Sequence, residues 1–149
     1  MLDESRRHIY DYLYGLFFNV VTKNVYERYE PLELTKSDLE EGFIVTRVGD
    51  IYDASEFSGE TYGLVRCYVE AFVPPVSRGR VDIEKYAQFE DAIDTVINEE
   101  SVRNDDPEMV YHIQEGSYLS ADTDTAIIAD NLFHTFIKSF IVDIDVVQE

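Results

Sequence analysis

Tyr62–Val73 reads YGLVRCYVEAFV, and its alternation decides the fold. One parity, Val65, Cys67, Val69, Ala71 and Val73, is wholly apolar. The other, Tyr62, Leu64, Arg66, Tyr68, Glu70 and Phe72, mixes aromatic, charged and aliphatic side chains. Successive side chains of a strand point to opposite faces, so the first set turns toward a core and the second toward a wetter surface. Pro74 and Pro75 end the strand, because proline has no N–H to give a ladder.

Upstream, Phe43–Gly49 (FIVTRVG) is a β-branched run closed by a glycine, the expected partner strand. Between the two strands lies GDIYDASEFSGETYG, Gly49–Gly63. Its carboxylates Asp50, Asp53, Glu56 and Glu60 are interleaved with Ile51, Tyr52, Phe57 and Tyr62, and it contains no base. It reads as a protruding acidic hairpin. Further upstream, residues 3–24 place Ile9, Leu13, Leu16, Phe17, Val20 and Val21 at steps of three and four, which predicts a helix. Tyr10 and Tyr14 add a second aromatic edge to it. A short strand is expected at Val25–Tyr29, before Pro31, and TKSDLEEG as a turn or brief helix.

Downstream, Asp82 is placed to cap a helix through DIEKYAQFEDAIDTVINEE. Its predicted inner face is Ile83, Tyr86, Ala87, Ile93, Val96 and Ile97, with Phe89 at the edge. SVRNDDPE is a break, MVYHIQ a strand, and EGSYLSADTDTA a loop with some strand character. LFHTFIKSFIVDIDV is a long last strand with Leu132, Phe136, Phe140, Val142 and Ile144 to one side. The order predicts one α+β domain over residues 1–149, an antiparallel sheet packed against two helices in a two-layer sandwich.

Charge narrows the function. The chain has 31 acids against 12 bases, a formal −19. Such a field repels phosphate backbones and anionic membranes, so neither nucleic-acid grip nor membrane binding is expected. The apolar run near the N-terminus is too short to span a bilayer and reads as a buried helix face, not a leader. The single cysteine, Cys67, sits at a core parity and reads as a small buried apolar residue.

Catalytic signatures are sparse. No glycine cluster precedes a helix to cradle phosphate, and no Gly-x-Ser-x-Gly elbow occurs. His8, His112 and His134 are scattered; His112 and His134 fall on predicted strands, where a zinc pair completed by a carboxylate is the sharper reading and two satisfied strand histidines the plainer one. Asp122–Thr125 (DTDT) lacks the glycine and distal acid of the best-known calcium loop. Asp143 and Asp145 are explained by strand alternation. No catalytic residue, metal or cofactor is assigned.

The hairpin is therefore read as a contact element. Tyr and Phe supply contact area, and acids orient a complementary partner. The candidate interface is Asp50, Ile51, Tyr52, Asp53, Glu56, Phe57, Glu60 and Tyr62, with Tyr10 and Tyr14 as a helix contact. The same acids also suit the protective role of keeping an exposed hairpin from mispairing.

The sequence of features (a helix, a strand through RVGDIYD, a polar hairpin, the YGLVRCYVEAFV strand, the IEKYAQFEDAIDTVIN helix and late strands) resembles the tail-terminator and tail-completion proteins of tailed bacteriophages. The resemblance spans Met1 to Ile144 and is one of pattern. It implies a head–tail connector protein without enzymatic activity, forming a ring homo-oligomer, hexamer or dodecamer, in the neck or tail of the virion after assembly in the host cytoplasm. It implies neighbouring neck or tail ring proteins as partners and a central channel through which DNA passes without specific binding. The hairpin Phe43–Val73, with Asp50–Glu60 at its tip, would reach a neighbouring subunit. The PPVSRGR loop and the extended last strand depart from the family pattern. An acidic channel agrees with the charge, because like charge keeps sliding DNA from sticking. The alternatives from other classes are an acidic inhibitor that imitates DNA, and a small hydrolase or metal enzyme.

Overall fold

The computed structural model describes residues 2–27, 33–53, 62–101, 111–114 and 116–145. In chain order these form α1 (Leu2–Phe17), β1 (Val25–Glu27), α2 (Lys36–Glu41), β2 (Phe43–Asp53), β3 (Tyr62–Val73), a 3-10 turn (Ser77–Gly79), α3 (Ile83–Ser101), β4 (Tyr111–Ile113), β5 (Leu119–Ile128) and β6 (Asn131–Asp145). The six strands make one sheet, dominant in the fold, in the order β1-β2-β3-β6. β6 is long enough for β5 and β4 to share its far edge, β5 along Asn131–Ser139 and β4 along Val142–Ile144.

The sheet is mixed, not purely antiparallel: β1 runs parallel to β2, and all other pairs are antiparallel. The chain between β1 and β2 includes α2, and such a crossover returns the second strand in the direction of the first. α2 is fixed by a reciprocal cap. The Asp38 N–H donates to the Thr35 hydroxyl at 3.1 Å, and the Thr35 N–H donates to the Asp38 carboxylate at 2.9 Å. Gly42 closes it at φ +85°, where a Cβ would stand 2.5 Å from the Phe72 carbonyl oxygen, so glycine is required there.

The strand Tyr62–Val73 has the predicted bounds, and its apolar parity is buried. Val65, Cys67, Val69, Ala71 and Val73 pack with Phe136, Phe140, Val142 and Ile144 of β6 beneath Ile9, Leu13 and Phe17 of α1 and Phe89, Ile93 and Ile97 of α3. A smaller cluster lies on the opposite sheet face, where Phe43 stacks on Phe72 at 4.5 Å and Phe133 meets Phe43 edge-on at 5.2 Å. Phe133, off the predicted inner parity, is thus buried on this second face.

Several expected boundaries move. α1 ends at Phe17, not near residue 24: Asn19 takes a left-handed φ of 59°, and the β-branched run Val20–Thr22 follows as turn. Gly49 does not stop β2, which continues to Asp53 across a bulge between Val48 and Ile51. A Cβ on Gly49 would lie 2.9 Å from the Arg66 carbonyl oxygen, so the glycine serves close strand approach. The SADTDTA stretch is strand, not loop, because it pairs with β6. In α3, Asp82 caps as expected, its carboxylate accepting the Lys85 N–H at 3.1 Å. The inner face, however, centres on Phe89, Ile93 and Ile97, while Ile83 is 73% exposed. The sheet selects this phase because Phe89 and Ile93 fit above its apolar parity.

Candidate functional site

The bulge at the end of β2 sorts the predicted contact residues. After it, Ile51 pairs with Val65 and Tyr52 with Leu64, so the two side chains take opposite faces. Ile51 is half-buried against the main core and is a packing residue, which corrects its assignment to the contact set. Tyr52 is 54% exposed. Asp50 is fully exposed, 3.7 Å from the Arg6 guanidinium, a solvent-facing pair of small energetic consequence. Asp53 closes the ladder opposite Gly63, and the backbone of Tyr62 pairs with Asp145. The side chains of Asp53 and Tyr62, and all of Glu56, Phe57 and Glu60, lie outside the described residues.

The two candidate contact tyrosines of α1, Tyr10 and Tyr14, also part. Tyr10 is 3% exposed, and its hydroxyl accepts the Val48 backbone N–H; it belongs to the core and is not a partner contact. Helical phase puts Tyr10 beside Ile9 and Leu13 on the inner side. Tyr14 faces solvent and stacks on Phe18 at 5.1 Å, next to exposed Val20. Val20 and Val21 continue into a shallow groove against Ala92 and Val96 of α3.

One cluster escaped the sequence reading. Lys138 of β6 is buried at 2% exposure between α3 and β5. Its ammonium donates to Glu90 at 3.0 Å and to the Ser120 hydroxyl at 2.8 Å, and lies 3.4 Å from the Asp94 carboxylate. Tyr118 donates its hydroxyl to the same Asp94. Burial pulls the Lys138 ammonium toward its neutral form, but the neighbouring Tyr118, Glu90 and Asp94 oxygens outweigh it, and its pKa ends above the ordinary lysine value. A nucleophilic lysine needs the opposite shift. The ammonium bonds Glu90 of α3 and Ser120 of β5 and faces Asp94, so the cluster clamps α3 and β5 onto β6. Its signal in the sequence was parity: Lys138 alternates with Phe136 and Phe140 on the inner side of β6.

Cys67 is fully buried, and burial pushes its thiol up to about 12, so it holds no thiolate at neutral pH. The strand histidines do not meet. His112 pairs with Asp143 and His134 with Thr125 and Val73, so their positions along β6 are nine residues apart, 143 − 134, or about 30 Å. The zinc-pair reading falls on that distance. The His134 Nε2 instead lies 3.0 Å from the Gly79 carbonyl oxygen. Among the described residues, no three His, Cys, Asp or Glu side chains gather in a metal-holding group, and no helix is long and apolar enough to cross a membrane. No protein-family model matches the chain, and comparison with curated proteins finds no match.

Proposed function

We propose that this chain is a structural subunit of a bacteriophage neck or tail, a two-layer α+β unit that closes into a ring and contributes to a DNA channel. The observation that carries the reading is the distribution of exposed apolar side chains. Tyr14, Phe18 and Val20 lie at the end of α1, Val76, Val81 and Ile83 before and at the start of α3, and Tyr52 on the end of β2. These are separate places on a strongly acidic surface. Clustered apolar exposure on a soluble domain marks interaction sites, and several such sites suit a building block with more than one neighbour. The formal charge of −19 suits a channel wall that must let DNA slide.

Light scattering of the purified full chain, with negative-stain images of the same fractions, tests this. Rings with a central hole are the expected result. A monomer at every concentration that captures a basic nuclease at low salt and releases it at high salt would replace the ring by the DNA-mimic inhibitor.

A further inference from the structure

Two of the exposed apolar surfaces flank α3 on opposite sides and carry opposite charge. On one side, Val76, Val81 and Ile83 surround a shallow hollow beside Arg80. The Arg80 guanidinium is held in place by Ser77, donating to its carbonyl oxygen at 3.3 Å and to its hydroxyl at 3.2 Å. Arg78 is exposed on the same turn. Among the described residues, neither arginine is paired with a carboxylate.

On the other side, Val20 and Val21 face Ala92 and Val96 across the groove described above, and Asp91 and Glu99 form its exposed rim. No base lines it. The helix itself separates the two surfaces. Ile83 shares its phase with Glu90 and Asp94, which reach Lys138 on the β6 side, whereas Ala92 and Val96 face Val20 and Val21 in the turn after α1.

From this pairing we infer that the Val76–Ile83 segment of one copy docks into the groove between α3 and the turn after α1 of a second copy, with Arg78 and Arg80 meeting Asp91 and Glu99. The inference rests on the ring reading and supplies its contact. Bases are scarce in this chain, yet two sit on one turn beside apolar side chains, and the groove is the matching apolar surface with acids at its edge. Each copy carries one of each surface on opposite flanks. A contact between unlike surfaces repeats from copy to copy, and it forms a ring when the rotation closes. Apolar contact supplies the attraction and the charges set orientation and reject wrong neighbours.

Charge reversal of the full chain, read by sedimentation, tests the contact. Arg78→Glu with Arg80→Glu removes the basic side, and Asp91→Lys with Glu99→Lys removes the acidic side. Each double variant is expected to weaken self-association by about tenfold or more. All four positions are exposed, so the unfolding transition of each variant should match the parent's. Mixing the two variants should restore assembly, since the retained arginines of one fit the retained acids of the other and the introduced glutamates fit the introduced lysines. Two folded variants that fail to assemble on mixing would overturn the contact. Rings that form undiminished in both variants would also overturn it, leaving the ring reading intact and the groove to another partner. A parent chain that never self-associates would overturn the ring reading itself, and this contact with it.

Discussion

The Tyr10 hydroxyl stands 3.2 Å from the Val48 backbone nitrogen and accepts its N–H, tying α1 to β2. Among the described residues, β1 pairs with β2 from Ile44 to Thr46. At Val48 it is a helix side chain that supplies the acceptor. A strand N–H is thereby satisfied by a residue whose sequence position advertised surface aromatic contact.

Tyr10→Phe keeps the ring and deletes this acceptor. Leaving a buried N–H unsatisfied costs about 1–3 kcal/mol. Denaturant unfolding should show that loss with an unchanged slope, and hydrogen exchange at the Val48 amide should accelerate. An unaltered midpoint would show that the bond contributes nothing.

The Lys138 cluster predicts an asymmetry between its partners. Glu90 and Asp94 are each 35% exposed at the side chain, whereas Lys138 is 3% exposed. Lys138→Met leaves two carboxylates that water can reach, so its cost should be small. Glu90→Gln with Asp94→Asn leaves a charge buried without a counter-charge, a situation that costs about 3–5 kcal/mol. Equal losses in the two variants, measured by urea unfolding, would contradict the clamp.

The same cluster makes the fold sensitive to alkali. The Lys138 pKa is raised in the folded chain, so its contribution is fully present below the unfolded value of about 10.4 and is lost as pH rises through the folded value. The Tyr118 phenol is raised by burial and by its bond to Asp94, against the opposing pull of Lys138. The unfolded phenol ionises from about pH 10, which also favours unfolding there. Tyr111 is raised too, by burial and then by the charge of Asp11, and acts in the same direction. Thermal unfolding followed between about pH 9 and about pH 11 should show falling stability, and Lys138→Met should change that slope by removing the lysine's share and the lysine's pull on Tyr118. A flat profile over that range would contradict these assignments.

Ile51 and Tyr52, adjacent in sequence, should separate stability from assembly. Ile51→Ala removes half-buried volume against the core and should cost about 1–2 kcal/mol, below the range for a fully buried isoleucine. Tyr52→Ala should leave unfolding within about 0.5 kcal/mol of the parent, as expected for an exposed side chain, while reducing self-association. Unchanged assembly in Tyr52→Ala, measured by sedimentation, would remove this end of β2 from the subunit contact.

Local pattern carried much of the fold. The alternation of Tyr62–Val73 made its ends and its buried parity legible, because a strand's period of two needs no partner to be read. The Asp82 cap was visible for the same reason: it spans three residues. The candidate site was less legible. Asp50 and Tyr52 reach solvent as expected, but Ile51 and Tyr10 turn inward, since a bulge resets the strand's faces and a strand N–H recruits the tyrosine.

By itself, then, the sequence determined the elements whose order is written in neighbouring residues: β3, the long β6, the capped α3 and the apolar layer between them. Tertiary structure decided the rest, through contacts between distant residues. β1 became parallel because α2 crosses over before β2 begins; Gly49 became a bulge because Arg66 approaches it; Lys138 became a buried clamp because α3 lays Glu90 and Asp94 above it. Such outcomes depend on which surfaces meet, and hydrophobic periodicity is silent about partners it cannot reach along the chain.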